Sequence, residues 1–178
     1  MTAVANSVFT AAQFNQFVRD NLNETAPAKA TAAGGYFVAT GVNSIAERRI
    51  SGATDIDVGG QTTSTSYTDL DAPAGVGPSV TLTTGTQALV FFHTQSQNSG
   101  AGSARAGAEV SGATSIAAAD NRSIATFGNA DNGLGAGTFT YYTGGLALTA
   151  GSNTFTMKYR VSSGTGTFDD RRIAVMPL

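Results

Sequence analysis

The sequence predicts a mainly β protein: an antiparallel β-sandwich in jelly-roll order, preceded by one short α-helix and an extended arm. Three observations favour this class. Short segments that alternate apolar and polar residues recur at regular intervals from Tyr67 onward, which is typical of sandwiches and barrels. Glycine is frequent, at 22 residues, and charged residues are scarce, at 12% against a globular average of about 25%. Helical periodicity is confined to one segment near the N-terminus.

Composition argues against several classes of function. The formal net charge is −2 and the basic residues are scattered, so nothing favours binding to nucleic acid or to an anionic membrane. The absence of cysteine excludes disulfides and thiolate metal sites. The opening MTAVANSVFTAAQFNQF lacks the basic start and apolar core of a secretory signal, and no run approaches the roughly 20 apolar residues of a membrane span. We therefore expect neither a signal peptide nor membrane insertion.

The helix is predicted over residues 11–22. Thr10 is a good N-cap and Gln13 completes a capping box, while Phe9 and Phe14 match a hydrophobic staple. Because so short a helix is marginal in water, its apolar stripe must pack either on its own domain or on another molecule. The weakly apolar segment that follows favours the second alternative. The residues predicted to anchor the protein are Phe9, Phe14, Phe17, Val18 and Leu22.

Residues 26–61 contain little core material and are interpreted as an extended arm. Short strands are predicted at residues 36–40 and 43–50, with a turn at Gly41-Val42-Asn43. Asp55 and Asp57 suggest a calcium loop, but their spacing is not that of a twelve-residue calcium site, so a solvated strand face is the better interpretation. We place the domain boundary after residue 60, giving an arm of residues 1–60 and a sandwich of residues 61–178.

The sandwich is predicted to contain about eight strands in two antiparallel sheets. Ala88-Leu89-Val90-Phe91-Phe92 is the most apolar run and predicts the central strand. Residues 154–161 alternate clearly, with Phe155, Met157, Tyr159 and Val161 on one face. The segment GNADNGLGAG, residues 128–137, is predicted to be a loop. The candidate strands are residues 66–70, 79–83, 87–95, 105–111, 115–119, 123–127, 138–148, 153–161 and 171–176.

No motif predicts catalysis, a cofactor or a metal. The lone histidine, His93, lies on the predicted central strand, where a histidine satisfied by a hydrogen bond is the simplest interpretation. There is no GxSxG elbow, and GLGAG lacks the helix and lysine of a phosphate loop. Asp169-Asp170-Arg171-Arg172 is the densest charge cluster and is interpreted as a turn whose charges pair locally or across a subunit boundary. We expect no enzyme activity.

Two long segments resemble a known group of proteins. The stretches SYTDL, GPSVTLTTGTQALVFF, ARAGAEVSGATS and LTAGSNTFTMKYRVSSGTGTFDDRRIAVMPL resemble a domain of virion proteins from tailed phages of actinobacteria, often labelled minor tail proteins. The opening FTAAQFNQFVRDNLNETAPAKAT is similar to the N-terminal module of that group. The resemblance implies a virion structural protein made in the host cytoplasm, either a minor tail protein or a capsid decoration protein. Its implied partners are copies of itself and major capsid or tail proteins.

The C-terminal domain also resembles the trimeric jelly roll of tumour-necrosis-factor and complement-C1q-type proteins. That resemblance implies a homotrimeric surface knob in which the last strand lies near the threefold axis. The residues it assigns to the axis are Tyr159, Ile173, Val175 and Leu178. Accordingly, Leu178→Asp is expected to weaken assembly more than a similar change within residues 128–137.

Two other functions remain open from the sequence. The first is binding of host cell-surface glycan, with loops at residues 95–105 and 129–137 and with Tyr141 or Tyr142 as a stacking platform. These two tyrosines are neighbours, so only one can face such a groove in an extended chain. The second is a hydrolase acting on the host envelope, which would need His93 beside a solvent-filled cleft.

Overall fold

A computed structural model of the chain describes residues 8, 10–23, 29–55, 57–127, 133–141 and 145–178. The chain divides into two compact units, Met1–Arg49 and Ile50–Leu178. Within the described ranges, no helix is long and apolar enough to cross a membrane.

The helix of the first unit begins where the sequence predicts. It consists of an α-helical turn, α1 (Ala11–Phe14), a π-helical segment (Asn15–Arg19) and a second α-helical turn, α2 (Asp20–Asn23). The Gln13 backbone N–H donates to the Thr10 hydroxyl at 3.2 Å, and the Thr10 N–H donates to the Gln13 side chain at 3.0 Å, which confirms the capping box. The wide central π-turn was not predicted. Phe9 lies outside the described residues.

A two-stranded hairpin completes the first unit. Strands β1 (Tyr36–Gly41) and β2 (Ser44–Arg48) pair antiparallel. Asn43 occupies the turn with φ of 55°, a left-handed conformation that asparagine tolerates better than most residues. Both predicted strands and the turn between them are therefore confirmed, within a residue or two at their ends.

The second unit is a jelly-roll sandwich, as predicted. One sheet has the order β3-β11-β6-β9, with β4 also paired to β11, and the other has the order β5-β10-β7-β8. Every pairing is antiparallel, and the chain passes repeatedly between the sheets. Strand β6 lies inside its sheet, which confirms the predicted central strand. The strands are β3 (Ser51–Asp55), β4 (Gly60–Thr62), β5 (Ser79–Thr84), β6 (Ala88–Asn98), β7 (Ser103–Gly112), β8 (Ser123–Phe127), β9 (Gly133–Tyr141), β10 (Gly151–Val161) and β11 (Gly166–Pro177).

Strands of both sheets supply the core between them. On β10 the predicted alternation is confirmed: Phe155, Met157, Tyr159 and Val161 are all fully buried. The ring of Tyr159 packs on Phe168 of β11 at a centroid distance of 4.9 Å, so the two sheets meet through aromatic side chains.

The boundary between the units lies after Arg49 rather than after residue 60. The reason is that β3 and β4 both pair with β11, so the segment interpreted as the end of the arm is part of the sandwich. The local sequence around Asp55 is weakly apolar and gives little indication of this pairing, because it is a long-range contact with residues 166–175.

Four predicted strands differ in the structure. Residues 66–70 and 115–119 form only single bridges, Thr68 with Tyr159 and Ile116 with Val110. Strand β9 begins at Gly133, so the second half of the predicted 128–137 loop is a strand, and residues 128–132 and 142–144 lie outside the described ranges. Strand β11 begins at Gly166, five residues before the predicted start, and contains an irregularity between Asp169 and Arg172.

Candidate functional site

The outer surfaces of the two sheets differ in chemistry. The outer face of the β5-β10-β7-β8 sheet is polar, and we call it the polar face. Its hydroxyl groups bond across strands, with Ser79 to Thr156 and Thr81 to Thr154 both at 2.8 Å. Lys158 pairs with Asp69 at 2.7 Å on the same side. This is the ordinary, solvated surface of an antiparallel sandwich.

The outer face of the β3-β11-β6-β9 sheet is instead apolar along two adjacent strands. Cross-strand pairs Leu89–Met176 and Phe91–Ala174 lie side by side, and all four side chains are directed away from the sandwich core. Phe91 is 40% exposed. We call these four residues, with Gly52 next to Ala174 on β3, the apolar face. Large apolar side chains arranged contiguously on a sheet surface are typical of an interaction site.

A groove of about 520 Å³ lies over one end of the apolar face, at Phe91, Ala174 and Gly52. Two small residues on neighbouring strands, Ala174 and Gly52, lie beside Phe91 and leave the space that the groove occupies. A methyl group added at Gly52 would lie 3.2 Å from the Ile173 carbonyl oxygen, so glycine also allows β3 to approach β11 closely. Its lining residues are Gly52, Ala53, Thr54, Phe91, Phe92, His93, Gly137, Arg172, Ile173 and Ala174.

One end of the groove is polar. His93 and Arg172 are cross-strand partners there, and Nδ1 of His93 donates to the Asp170 carbonyl oxygen at 2.9 Å. Thr54 supplies the one hydroxyl group in the lining, and the lining contains no carboxylate. His93 is therefore held by the bulge of β11, and neither an acid nor an activated nucleophile faces it across the groove. Elsewhere in the described part of the chain, no cluster of three or more acids and histidines is placed to hold a metal.

The bulge of β11 also positions a fully buried arginine. Asp170 adopts φ of 47°, and the next residue, Arg171, turns into the interior with no solvent exposure. Its Nη2 group bonds to the Asp55 carboxylate and donates to the Val58 carbonyl oxygen at 2.9 Å. Its guanidinium carbon lies 5.8 Å from the centroid of the Tyr159 ring. Arg171 thus ties the β3–β4 connection to the last strand from inside the protomer.

Two tyrosines have altered acidity because they are buried. Burial raises the pKa of Tyr141 to about 12, opposed in part by the positive charge of Arg122. Burial likewise raises the pKa of Tyr159, opposed by Arg171. The Tyr141 ring packs edge-on against Phe155 at 5.9 Å.

The structure places most of the predicted axis and glycan residues in the core. Tyr159 and Val175 are fully buried, and Ile173 is 2% exposed, so none of them is available at a threefold axis. On β11 the residues that face outward are Ala174 and Met176, each one position from a residue predicted at the axis. Tyr141 is 1% exposed and cannot stack on a surface glycan, while Tyr142 lies outside the described residues. Leu178 is half-buried, and its N–H donates to the Gln87 carbonyl oxygen at 2.9 Å.

The helix residues predicted to anchor the protein are largely exposed. Phe14, Phe17 and Leu22 are 49%, 40% and 61% exposed, and Val18 is half-buried.

Comparisons with known proteins found distant matches among solved structures. No family model and no curated protein matches the sequence. Among solved structures, Eiger TNF from S. frugiperda is 12% identical with a TM-score of 0.44, covering 74% of this chain and 94% of its own. The carbohydrate-binding module TmCBM61, solved with β-1,4-galactotriose, is 11% identical with a TM-score of 0.36, covering 72% and 88%. A cyclase from Fischerella sp. TAU is 16% identical with a TM-score of 0.30, covering 67% and 74%.

Sequence reasoning missed the apolar face, although a signal for it was present. Residues 88–92 are apolar at consecutive positions, and residues 173–176 are also apolar at consecutive positions. An outer strand of a solvated sandwich would alternate, whereas continuous apolar runs indicate strands covered on both sides. The run was used to predict a central strand and was not used to predict a covered outer surface.

Proposed function

We propose that the protein is a non-enzymatic structural protein of a phage particle. In this proposal the sandwich forms a homotrimeric surface knob, and the N-terminal unit anchors it to a capsid or tail protein. The observation that carries the proposal is the contrast between the two sheets. One outer surface is polar, whereas the other directs apolar side chains outward, with Phe91 exposed and Leu89, Ala174 and Met176 half-buried.

Self-association would explain why the two outer surfaces differ, because it would cover the apolar face with other copies of the chain. Covering each large apolar side chain contributes on the order of 1.5–3 kcal/mol, and a closed symmetric ring covers every copy of the face at once. The polar end of the groove, with Arg172 and His93, would form the rim of such an interface. The resemblance of two long segments of the chain to virion proteins of actinobacterial phages is what motivates the placement in a particle.

The anchoring part of the proposal is supported by the exposed stripe of the helix. An isolated helix of this length is marginal in water, so docking Phe17 and Leu22 on a partner would stabilise it. Repetition in a trimer would turn three modest contacts into a durable attachment.

Deleting residues 1–24 tests the anchor. The expected result is a truncated protein that keeps its oligomeric mass but no longer co-sediments with phage particles assembled in its presence. The matched control is Arg19→Gln in the full chain, which changes a residue in an exposed ion pair with Asp20 and should leave co-sedimentation unchanged. Incorporation of the truncated protein at the full-length level would contradict the anchoring role.

A further inference from the structure

The polar face contains an arrangement of charges that folding alone does not favour. Arg105 of β7 and Arg160 of β10 are direct cross-strand partners, and both side chains are on the outer side of the sheet. Like charges directly opposite each other destabilise a sheet. Natural proteins break local rules of this kind mainly at functional sites.

The Asp120 carboxylate lies near both arginines and is closer to Arg160 than to Arg105. Asp120 approaches Nη2 of Arg160 at 3.2 Å and accepts a hydrogen bond from the Tyr67 hydroxyl at 3.1 Å. Its distance to Nε of Arg105 is 3.7 Å. Arg160 is further held by donating to the Thr65 carbonyl oxygen at 2.9 Å. The positive charge that remains is therefore concentrated at Arg105.

Arg105 is weakly bound to the protein around it. Its one hydrogen bond among the described residues, to the Ser123 hydroxyl, is long at 3.5 Å, and its Nε has no hydrogen-bond partner there. The guanidinium instead lies over the ring of Phe127, 5.5 Å from the centroid. Phe127 ends β8 and is 67% exposed, so its ring is accessible beside the guanidinium.

The Arg105 side chain keeps 20% exposure, and with the exposed Phe127 ring beside it forms a recognisable pair of contacts. The guanidinium fits a carboxylate or phosphate through two parallel hydrogen bonds. The aromatic ring offers an apolar surface to one face of a sugar ring. We propose that Arg105 and Phe127 form a binding site for a sugar that carries an anionic group, with Arg160, Tyr67 and Asp120 holding the site in place. The site is on the sheet opposite the apolar face, so it stands independently of self-association.

Binding by the full chain can be measured by NMR titration with three probes. Tri-galacturonate carries carboxylates, its methyl ester is the same sugar without charge, and glucose 6-phosphate carries a phosphate. The expected result is binding of at least one charged probe, with shifts at residues 105 and 127, and binding at least tenfold weaker for the methyl ester. Tighter binding of tri-galacturonate would identify a carboxylate ligand, and tighter binding of glucose 6-phosphate a phosphate ligand. No binding of either charged probe, or equal binding of the methyl ester, would overturn the proposal.

Two variants separate the site from general electrostatic attraction. Arg105→Gln should weaken binding at least tenfold, and Phe127→Ser should weaken it severalfold, while both keep the thermal unfolding of the parent protein. Arg19→Gln is the matched control, because it removes an exposed arginine of the N-terminal helix and should leave binding unchanged. Equal losses in Arg105→Gln and Arg19→Gln would show an attraction to overall charge and would contradict a defined site.

Discussion

Arg171 is the residue on which the junction between the first and last strands of the sandwich depends. It is fully buried, and its partner Asp55 keeps 28% side-chain exposure. Buried pairs of this kind add little net stability compared with apolar replacements, but removing one partner leaves an uncompensated charge. The pair therefore specifies how β3 joins β11 more than it stabilises the sandwich.

Removing only the acid should be more harmful than removing both charges. We expect Asp55→Ala to lower the free energy of unfolding by about 3 kcal/mol, at the low end for buried pairs because Asp55 is partly hydrated. Adding Arg171→Met to that variant should restore part of the loss. Urea denaturation measures both values, and Glu109→Ala, in a long exposed contact with Lys158, serves as the control with a change of less than about 1 kcal/mol. A double variant less stable than Asp55→Ala would contradict this account.

The buried tyrosines predict a loss of stability at high pH. The pKa of Tyr141 is about 12 in the folded protein and its ordinary value is 10.0, so the folded state holds the proton more tightly between these values. Stability is therefore complete below about pH 10 and falls as the pH rises toward 12, by about 1.4 kcal/mol per pH unit for each such tyrosine. Denaturation curves recorded from pH 8 to about 11.5 should show this slope. Tyr141→Phe should reduce this slope by the contribution of Tyr141. An unchanged slope in that variant would contradict the raised pKa of Tyr141.

At the scale of elements, the Asn153 side chain links three segments at one end of the sandwich through hydrogen bonds. Asn153, at the start of β10, accepts from the Thr114 N–H at 2.8 Å and donates to the Thr84 hydroxyl at 2.8 Å and to the Thr149 carbonyl oxygen at 2.9 Å. Asn153 is fully buried, so in its absence the Thr114 N–H would lose its acceptor, while the Thr84 hydroxyl and the Thr149 carbonyl oxygen would each lose one of two partners.

Asn153→Ala should therefore be costly. We expect a loss of about 1–3 kcal/mol in the free energy of unfolding, because the buried Thr114 N–H loses its acceptor and two further groups each lose one hydrogen bond. The neighbouring exposed residue gives the control: Ser152→Ala should change stability by less than about 0.5 kcal/mol. Calorimetry or urea denaturation of the two variants measures the difference, and equal stabilities would mean that water replaces the amide.

Elements with strong local patterns could be predicted from the sequence, and elements made by long-range pairing could not. The alternation of Phe155, Met157 and Tyr159 marks β10, and the capping box marks the helix start. By contrast, β9 begins within a glycine-rich segment whose strand character comes from pairing with β6. The sequence has no signal for the bulge at Asp170 either, although this bulge determines which residues of β11 face outward. This is why Ile173 and Val175 were assigned to the axis, whereas Ala174 and Met176 are on the surface.

At the scale of the whole molecule, the sandwich has two outer surfaces with different predicted uses. The apolar face of β6 and β11 is proposed to meet other copies of the chain. The polar face of β7, β8 and β10 is proposed to remain outside the trimer, where Arg105 and Phe127 are accessible to a ligand. Self-association and ligand recognition therefore require no shared residue, and variants on one sheet should leave the function of the other intact.

The molecular mass in solution tests the central claim most directly. Sedimentation equilibrium of the full chain at micromolar concentration should give three times the chain mass of 18.0 kDa. Ala174→Arg, which places a charge in the centre of the apolar face, should shift the mass to that of a monomer, and Thr83→Arg, on the exposed edge of the polar face, should not. A parent protein that is monomeric under these conditions, or a trimer that tolerates Ala174→Arg, would contradict assembly through the apolar face.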